Sequence, residues 1–331
     1  MQDFLRQDFL KSDHDFVRSS LRLMQRWTPD AIKVSASKLR PAWLPHGELF
    51  ELRDSAASAT LGRIGPLEVR LAQTKKDIKR AQRLRYNVFY KDGAAIADAR
   101  TLLARRDKDA FDNICDHMLV IDHGAKHPLD GAGAFQRKAP VVGTYRLLGQ
   151  DAAGRNSGFY TASEFDVGAL IERHRQLRFL ELGRSCVLPP YRNKRTVELL
   201  WHGIWTYVRR HRFDVMIGCA SLEGTEPDRL AQQLSFLHHY AGAPAEWRTS
   251  AHAGRRVDMN RMAKDAINPK AALHELPPLL KGYLRLGAFV GDGAVIDDQF
   301  GTTDVLVILP VGAINARYIQ HFGADAERHA A

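Results

Sequence analysis

The amino-acid sequence predicts an α/β (α+β) protein in which helices flank a mixed central sheet, with an N-terminal helical arm and a C-terminal extension. Three observations support this fold class. Short apolar runs rich in strand-tolerant residues recur between residues 67 and 310. Segments with helical spacing of apolar residues follow several of these runs. Residues 29–66 contain scattered Pro, Gly and Ser instead, a composition typical of an irregular connection.

Residues 1–66 form the predicted arm. Ser12 and Asp15 have the spacing of a capping box, and the apolar residues that follow occupy one helical arc with three arginines opposite. Such a helix packs on its own domain or lies in a membrane interface, and the pattern leaves both interpretations open. The folded domain is placed at residues 67–322, followed by a short tail at residues 323–331.

Apolar periodicity and stop signals predict the elements of the domain. Leu67 begins a strand that ends at residue 72, and Thr74 with Asp77 predicts the cap of a helix that runs to about Tyr90. The GDG sequence at Gly291 is interpreted as a tight turn. The other predicted elements are strands at 117–122, 141–148, 179–188, 213–220, 255–260 and 305–310, helices at 197–208 and 226–240, a glycine-rich connection at 124–140, and a helical turn at 276–283 before an extended segment to 290.

Composition and charge limit the function classes. The chain has 331 residues and a net charge of +10, which favours acidic partners such as a carrier protein, an anionic lipid or a nucleic acid. It contains no recognised nucleic-acid-binding motif, so no nucleic-acid partner is expected. Three cysteines without metal-ligand spacing indicate a reducing compartment and no metal site. Neither a secretory signal nor an apolar run of membrane-spanning length is found, so we expect a cytoplasmic protein.

The most informative stretch, residues 178–212, joins a strand to a helix through a basic loop. Two consecutive prolines end strand pairing because proline supplies no amide donor. Arg192, Lys194 and Arg195 then precede a helix with one apolar face. Free amides at a helix start favour an anion, and cations beside them strengthen capture of a phosphate. The loop is therefore predicted to hold a phosphate group.

This strand, loop and helix resemble the core of the GNAT acyltransferase superfamily, in which the corresponding turn holds the phosphate end of a pantetheine thioester. RNKRT replaces the glycine-rich form of that turn, and a single phosphodiester needs less room than a coenzyme A pyrophosphate. The replacement resembles the branch that uses acyl carrier protein, which includes acyl-homoserine-lactone synthases and ornithine N-acyltransferases. Residues 282–310 are similar to the ornithine N-acyltransferases. Positions similar to those used by the branch are Arg85, Asp109, Asp112, Arg146, Glu181 and Arg184.

Glu181 is the candidate catalytic base, with Arg184 beside it. An α-amino group is mostly protonated at about pH 7 and must lose a proton before it attacks a thioester. Glu181 lies mid-strand among apolar residues, where desolvation raises a carboxylate pKa and improves the group as a proton acceptor. An ion pair with Arg184 is the structural alternative. The two residues converge only across a bulge, which Gly183 would permit.

Two arginines and two aspartates complete the predicted site. Arg146 and Arg184 are candidates to bind a carboxylate in bidentate geometry. Asp109 and Asp112 are candidates to hold an ammonium group or to orient Arg85, with an exposed acidic loop as the plain alternative. A covalent role for Cys186 is disfavoured, because it has no histidine partner nearby in sequence and aminolysis of a thioester needs no covalent enzyme step.

The resemblance implies an N-acyltransferase that moves a 3-hydroxyacyl group from acyl carrier protein to the α-amino group of L-ornithine, forming lyso-ornithine lipid. No bound cofactor is expected, since phosphopantetheine arrives on the carrier protein. The enzyme alternatives are an acyl-homoserine-lactone synthase, which requires S-adenosylmethionine, and an acyltransferase for another amino acid such as glycine. A basic membrane-associated or nucleic-acid-binding module is the non-enzyme alternative. Peripheral contact with the anionic inner face of the membrane would suit a lipid product.

Overall fold

A computed structural model of the protein describes residues 59–125 and 139–314. The strands of this part are β1 (Thr60–Ile64), β2 (Leu67–Leu71), β3 (Asp116–Asp122), β4 (Val141–Gly149), β5 (Phe179–Val187), β6 (Val215–Glu223), β7 (Arg256–Val257), β8 (Phe289–Asp297) and β9 (Thr302–Pro310). They form one sheet in the order β1-β2-β3-β4-β5-β6-β9-β8-β7. β5 and β6 are parallel, and the other neighbours are antiparallel. The predicted mixed sheet is thus confirmed.

Helices flank the sheet, as predicted. In the same part of the chain they are α1 (Lys75–Tyr86), α2 (Ala99–Ala104), α3 (Gln150–Gly154), α4 (Val167–Arg173), α5 (Lys194–His211), α6 (Ala231–Ala241), α7 (Pro269–Glu275) and α8 (Pro278–Leu286). The short helical turns are a π-helical turn at Asn87–Lys91 and 3-10 turns at Ala110–Asn113, Tyr160–Ser163, Pro189–Tyr191, Lys264–Ala266 and Val311–Ala313.

The two larger of the three hydrophobic clusters in the described residues pack on the sheet next to the candidate site. In the first, Leu199 and Ile204 of α5 join Leu180 of β5. In the second, Phe179 of β5 joins Ile217 of β6. Side chains alternate along a strand, so Glu181 points to the same face as Phe179. This alternation directs an ionisable carboxyl group into the second core, where the candidate site is found.

The predicted order of elements is confirmed over most of the domain. α1 begins at the predicted cap, where Thr74 Oγ1 accepts a hydrogen bond from the Asp77 amide at 3.2 Å. The α-helix stops at Tyr86 rather than Tyr90, and the chain continues as the π-helical turn. The predicted helix 197–208 is the middle of α5, whose start is capped by Asn193.

One predicted extended segment is helical instead. Residues 283–290 are predicted to be extended, but α8 continues to Leu286 before β8 begins. Two prolines suit the start of this helix, and Gly287, with φ of +97°, ends it in the left-handed conformation. The helix therefore fits its termini, and the apolar residues that suggest a strand form its buried face.

The GDG sequence is a β-bulge rather than a tight turn. It lies inside β8, whose register against β9 shifts between Val290 and Ala294. Gly293 has φ of +84°, a conformation that only glycine adopts at little cost. The bulge lets one strand continue through a sequence that contains turn residues.

The sheet starts before residue 67. Residues 60–64, predicted to belong to the irregular connection, form β1 and pair with β2 across a turn at Gly65, with φ of +57°. Five residues give too little periodicity to predict such a strand. The predictions for the helix after Ser12, for residues 126–138 and for the tail concern parts of the chain outside the described residues. Within the described ranges, no helix combines the length and apolar character needed to span a bilayer.

Candidate active site

The candidate site begins where β5 and β6 separate. Their parallel ladder pairs residues 179–181 with residues 215–217. Both strands continue, to Val187 and Glu223, but the described structure has no further ladder pairs between them. β6 stays paired with β9 along its whole length. The Leu182 carbonyl still lies against Gly218, and beyond it the edge of β5 that faces β6 has no ladder partner in the described structure. We call this the open edge of β5.

β5 carries the predicted bulge. Thr144 pairs with Cys186 and Arg146 pairs with Gly183, so β5 has one extra residue opposite β4. The residue in the left-handed conformation is Arg184, with φ of +50°, rather than Gly183. That conformation costs a non-glycine residue about 1–2 kcal/mol. Contacts of the Arg184 side chain must offset this cost.

Those contacts belong to a buried arginine–aspartate cluster. Arg85 Nε donates to Asp107 Oδ2 at 2.7 Å, and its Nη2 donates to Asp112 Oδ1 at 2.8 Å. Arg146 Nη1 donates to both carboxylate oxygens of Asp109, at 2.6 and 2.7 Å. The formal charges cancel, which makes burial of so many ions tolerable. The members of the cluster are Arg85, Arg146, Arg184, Asp107, Asp109 and Asp112.

Asp109 and Asp112 are not an exposed acidic loop. They cap the Ala110–Asn113 turn reciprocally, and Asp112 is buried against Arg85 and Gln82. Burial opposes ionisation of Asp112, but the guanidinium of Arg85 outweighs it and lowers the pKa of that carboxyl group. Of the two predicted roles, these contacts favour orientation of Arg85 by Asp112 over capture of a substrate ammonium group.

Arg184 is held less tightly than the other two arginines. Its Nε lies 3.4 Å from Asp107 Oδ2, and its Nη2 lies 3.5 Å from Asp109 Oδ2. The guanidinium lies between the rings of Tyr160 and Phe300, 4.9 and 4.6 Å from their centroids. Its buried Nε has no hydrogen-bond partner among the described residues. Aromatic rings on both sides of a guanidinium whose carboxylate contacts are long can orient it for an incoming anion.

Glu181 is the last residue of β5 that pairs with β6, and it is 5% exposed. Its carboxylate oxygens accept hydrogen bonds from the amides of Tyr160 and Thr161, at 2.9 and 2.7 Å. These amides, rather than Arg184, are its partners, so the ion pair considered as an alternative is not formed. Burial raises the pKa of Glu181 against the opposing hydrogen bonds from Thr161 and Tyr160. A raised pKa suits a group that accepts and returns a proton near neutral pH.

The predicted basic loop lies at the start of α5. Asn193 Oδ1 accepts a hydrogen bond from the Thr196 amide at 3.1 Å and caps the helix. Lys194 and Arg195 are the first two residues of the helix and are exposed, and Arg192 Nε donates to the Val187 carbonyl at 3.0 Å. The loop therefore places cations between the open edge of β5 and the positive end of an 18-residue helix. This arrangement can bind a phosphate.

A second group of acidic residues lies near Glu181. One ligand atom each from Glu164, Cys219 and Asp304 lies within 4.8 Å of the others. Burial, followed by the charge of Asp304, raises the pKa of Glu164, and burial also raises the pKa of Asp304. The Cys219 thiol, whose pKa burial also raises, donates to Glu164 Oε2 at 3.2 Å. These groups favour protonation, so their chemistry fits a hydrogen-bonded cluster better than a metal site.

Cys186 is buried, and burial raises the pKa of its thiol to about 12. Nucleophilic cysteines instead have lowered pKa values, because the thiolate is the reactive form. The disfavoured covalent role therefore gains no support from the environment of Cys186.

Similarity to known proteins decides the family. Residues 84–202 match the acetyltransferase (GNAT) domain. The L-ornithine N(alpha)-acyltransferase of Agrobacterium fabrum is 51% identical over 267 residues, which cover 81% of this chain and 88% of that protein. The enzyme of the same name from Rhizobium meliloti is 52% identical over 272 residues, or 82% of this chain and 89% of that protein. This chain belongs to the L-ornithine N(alpha)-acyltransferase family.

Family membership confirms the predicted resemblance and makes the protein an N-acyltransferase with a GNAT-like fold. The matched domain contains every predicted site residue, from Arg85 to Arg195. Among solved structures, that of FeeM, an N-acyl amino acid synthase from uncultured soil microbes, aligns with 74% of this chain and 91% of its own, with a TM-score of 0.41 and 9% identity.

Several residues of the site are missing from the sequence predictions for this family member. Asp107 precedes the predicted Asp109 by two positions in the same acidic run and was detectable as a third carboxylate there. Tyr160, Thr161 and Phe300 carry no sequence signal, because they reach the site from a 3-10 turn and a hairpin turn that are distant in the chain. Such contacts depend on tertiary structure.

Proposed function

We propose that the protein transfers a 3-hydroxyacyl group from acyl carrier protein to the α-amino group of L-ornithine, forming lyso-ornithine lipid. The single observation that carries the proposal is the position of Glu181, a buried carboxyl group with a raised pKa at the point where β5 and β6 separate. The names of the two relatives, L-ornithine N(alpha)-acyltransferase, support ornithine as the acceptor. The product would make this a step of lipid biosynthesis.

In the proposed reaction Glu181 takes a proton from the α-ammonium group, directly or through one water molecule. The free amine attacks the thioester carbonyl, and backbone amides of the open β5 edge stabilise the oxyanion. The carbon–nitrogen bond forms and the carbon–sulfur bond breaks. The nitrogen loses its second proton to the departing thiolate, and Glu181 releases the first proton to solvent, which restores the carboxylate. No bound cofactor is required.

Arg184 is the proposed partner of the ornithine carboxylate, with Arg146 behind it. The Arg184 guanidinium lies 3.4 and 3.5 Å from its carboxylate partners, whereas Arg146 Nη1 is held at 2.6 and 2.7 Å by both oxygens of Asp109. Because Asp109 and Asp112 pair with arginines, the side-chain ammonium of ornithine needs another carboxylate. Asp304, buried and bonded to the Thr302 hydroxyl, is the proposed partner. Burial raises its pKa, and the positive charge of the bound ammonium group would lower that pKa again and keep Asp304 ionised.

Asp304→Asn tests the ammonium end of this acceptor site. We expect KM for ornithine to rise by about tenfold, because a hydrogen bond to a charged group contributes about 1.5–3 kcal/mol. KM for norvaline, which has the same carbon chain without the δ-ammonium group, should not change. Steady-state kinetics with both amino acids provide the measurement.

The matched comparison is Arg184→Lys, which keeps the charge but loses the planar fork. This substitution should raise KM for ornithine and norvaline alike, since both carry the same carboxylate. If Asp304→Asn raised KM equally for ornithine and norvaline, Asp304 would not bind the side-chain ammonium group.

The proposed donor site is the basic loop of Arg192, Lys194 and Arg195. An acidic carrier protein would be attracted to it, and its phosphopantetheine phosphate would meet the start of α5. The double variant Arg192→Glu/Lys194→Glu should raise KM for the acylated carrier protein by at least about tenfold at low salt, with a smaller effect in 0.5 M salt because screening weakens the attraction. Steady-state kinetics across salt concentrations provide the measurement.

Arg175→Glu/Arg229→Glu is the control, since both residues are exposed and the change in net charge is the same. If KM for the acylated carrier protein were unchanged in the loop variant, or rose equally in the control, the basic loop would not be the carrier-protein binding site.

The reaction itself is tested with purified protein, a 3-hydroxyacyl carrier protein and three acceptors assayed side by side. We expect mass spectrometry to detect the N-acyl product with ornithine. Product formation only with S-adenosylmethionine would support the lactone synthase alternative, and product formation only with glycine would support the other amino-acid alternative. Peripheral contact with the cytoplasmic face of a membrane is part of the proposal, because the product is an amphiphile that partitions into lipid.

A further inference from the structure

An exposed apolar knob lies between the π-helical turn and the arginine–aspartate cluster. We define the α2 knob as Ile96, Leu102 and Leu103, which are 69%, 55% and 90% exposed. They are three of the five exposed large apolar residues in the described part of the chain, and all lie within eight positions. Scattered exposed leucines need no explanation, but such a concentration indicates an interaction surface.

The α2 knob is fixed to the domain at both ends. The Ile96 amide donates to the Gln299 carbonyl at 2.7 Å, and Asp98 Oδ1 caps α2 by accepting from the Thr101 amide at 2.7 Å. After α2, Arg106 Nη1 donates to Gln82 Oε1 at 3.3 Å. These bonds hold the leucines outward, so their exposure is built into the fold.

Basic residues surround the α2 knob. Arg100, Arg105 and Lys108 are exposed beside it. Asp107 is buried against Arg85, and the exposed Asp92 and Asp98 are outnumbered by these three cations together with the exposed Lys91. An apolar tip within a basic rim is complementary to an anionic surface that has an apolar interior. A second copy of this chain, with its net charge of +10, is a poor electrostatic match.

We infer that the α2 knob inserts into the anionic surface of a lipid bilayer. Leu102 and Leu103 lie on α2 and are 55% and 90% exposed, and lipid accommodates such side chains without a matching shape. Asp107 and Asp109 of the cluster follow α2 directly, so the bilayer would lie beside the proposed acceptor site. This inference deepens the proposed membrane contact by naming its surface, and an amphiphilic product would then leave next to lipid.

The test compares vesicle binding of the full chain and of Leu102→Ser/Leu103→Ser. With vesicles of phosphatidylglycerol and phosphatidylcholine, we expect the partition coefficient of the variant to fall at least about tenfold, because two leucines no longer enter the apolar layer. Val197→Ser/Leu279→Ser removes the other two exposed apolar residues and should bind like the parent. Arg100→Gln/Arg105→Gln should weaken binding to anionic vesicles only.

Leu103→Trp gives a direct reading of insertion. Its added fluorescence should be quenched by brominated lipid more strongly than the fluorescence of the parent protein. Unchanged binding of the serine variant together with no added quenching would overturn the inference. So would a serine variant that changes oligomeric state, or one that loses affinity for the carrier protein while it still binds vesicles.

The same serine variant separates this inference from the proposed reaction. Acyl transfer from a soluble carrier protein to ornithine, measured without vesicles, should match the parent. If the parent itself transfers no acyl group, the vesicle result can still be interpreted, because it does not depend on turnover.

Discussion

Glu181→Gln should lower kcat by at least about 100-fold, because a positioned general base typically contributes 10²–10⁴-fold. Glutamine keeps the size of the side chain but cannot accept the proton of the incoming ammonium group. It also retains an oxygen acceptor for one of the two amides that Glu181 binds. Steady-state kinetics with a 3-hydroxyacyl carrier protein and ornithine provide the measurement, with circular dichroism to verify the fold.

The control is Glu68→Gln, since Glu68 is also buried but lies on β2 and bonds to Thr60 and Arg63. Its activity should stay near that of the parent. The pH profile gives a second, independent reading. Because the base must be ionised, kcat/KM should rise with pH through the raised pKa of Glu181, and this limb should be missing in Glu181→Gln.

Thr161→Val should move the rise of kcat/KM with pH to higher pH. The Thr161 hydroxyl favours the ionised form of Glu181, so its removal raises the pKa of Glu181 further. A Glu181→Gln enzyme with activity within a few-fold of the parent, or with an unchanged pH profile, would rule out the base and leave the carboxylate as an anchor for the Tyr160–Ser163 turn.

Arg85→Met should give the largest loss of stability. Arg85 is 0% exposed and pairs with Asp107 and Asp112, so its removal leaves two buried carboxylates without their main partner. Breaking a buried ion pair from one side costs about 3–5 kcal/mol in the free energy of unfolding. Urea unfolding followed by circular dichroism provides the measurement.

The matched control is Arg63→Met, which breaks a pair with Glu68 at 3.2 Å in which the arginine side chain is 53% exposed. Solvent screening limits that cost to about 0–1 kcal/mol. Adding Asp112→Asn to Arg85→Met should recover part of the loss, because it removes one unpaired charge. Equal losses for Arg85→Met and Arg63→Met would mean that the cluster does not stabilise the fold as its burial indicates.

The lowered pKa of Asp112 adds a pH dependence. A carboxyl group whose pKa is lower in the folded state stabilises the protein above its ordinary pKa. This contribution is lost as pH falls through the lowered value. In Arg85→Met the lowering should be largely absent, so the variant should lose less stability than the parent between neutral and acidic pH.

The sequence alone determined the elements that local physics specifies. Thr74 caps a helix, two prolines end the strand before α5, and the alternation along β5 directs Glu181 into a core. The family motifs lie in the same local segments, and they predict Arg85, Arg146 and Glu181 as site residues. Capping, periodicity and strand termination act over a few residues and are visible in the chain.

Tertiary structure decided how these residues are partnered. The sequence could not assign the left-handed conformation to Arg184 instead of Gly183, or show that Tyr160 and Thr161 bind Glu181. It also left open whether Asp109 and Asp112 are exposed or paired. The physical reason is that a buried charge is stable only with partners, and those partners come from segments 20 to 75 residues away in the chain, brought together when the sheet forms.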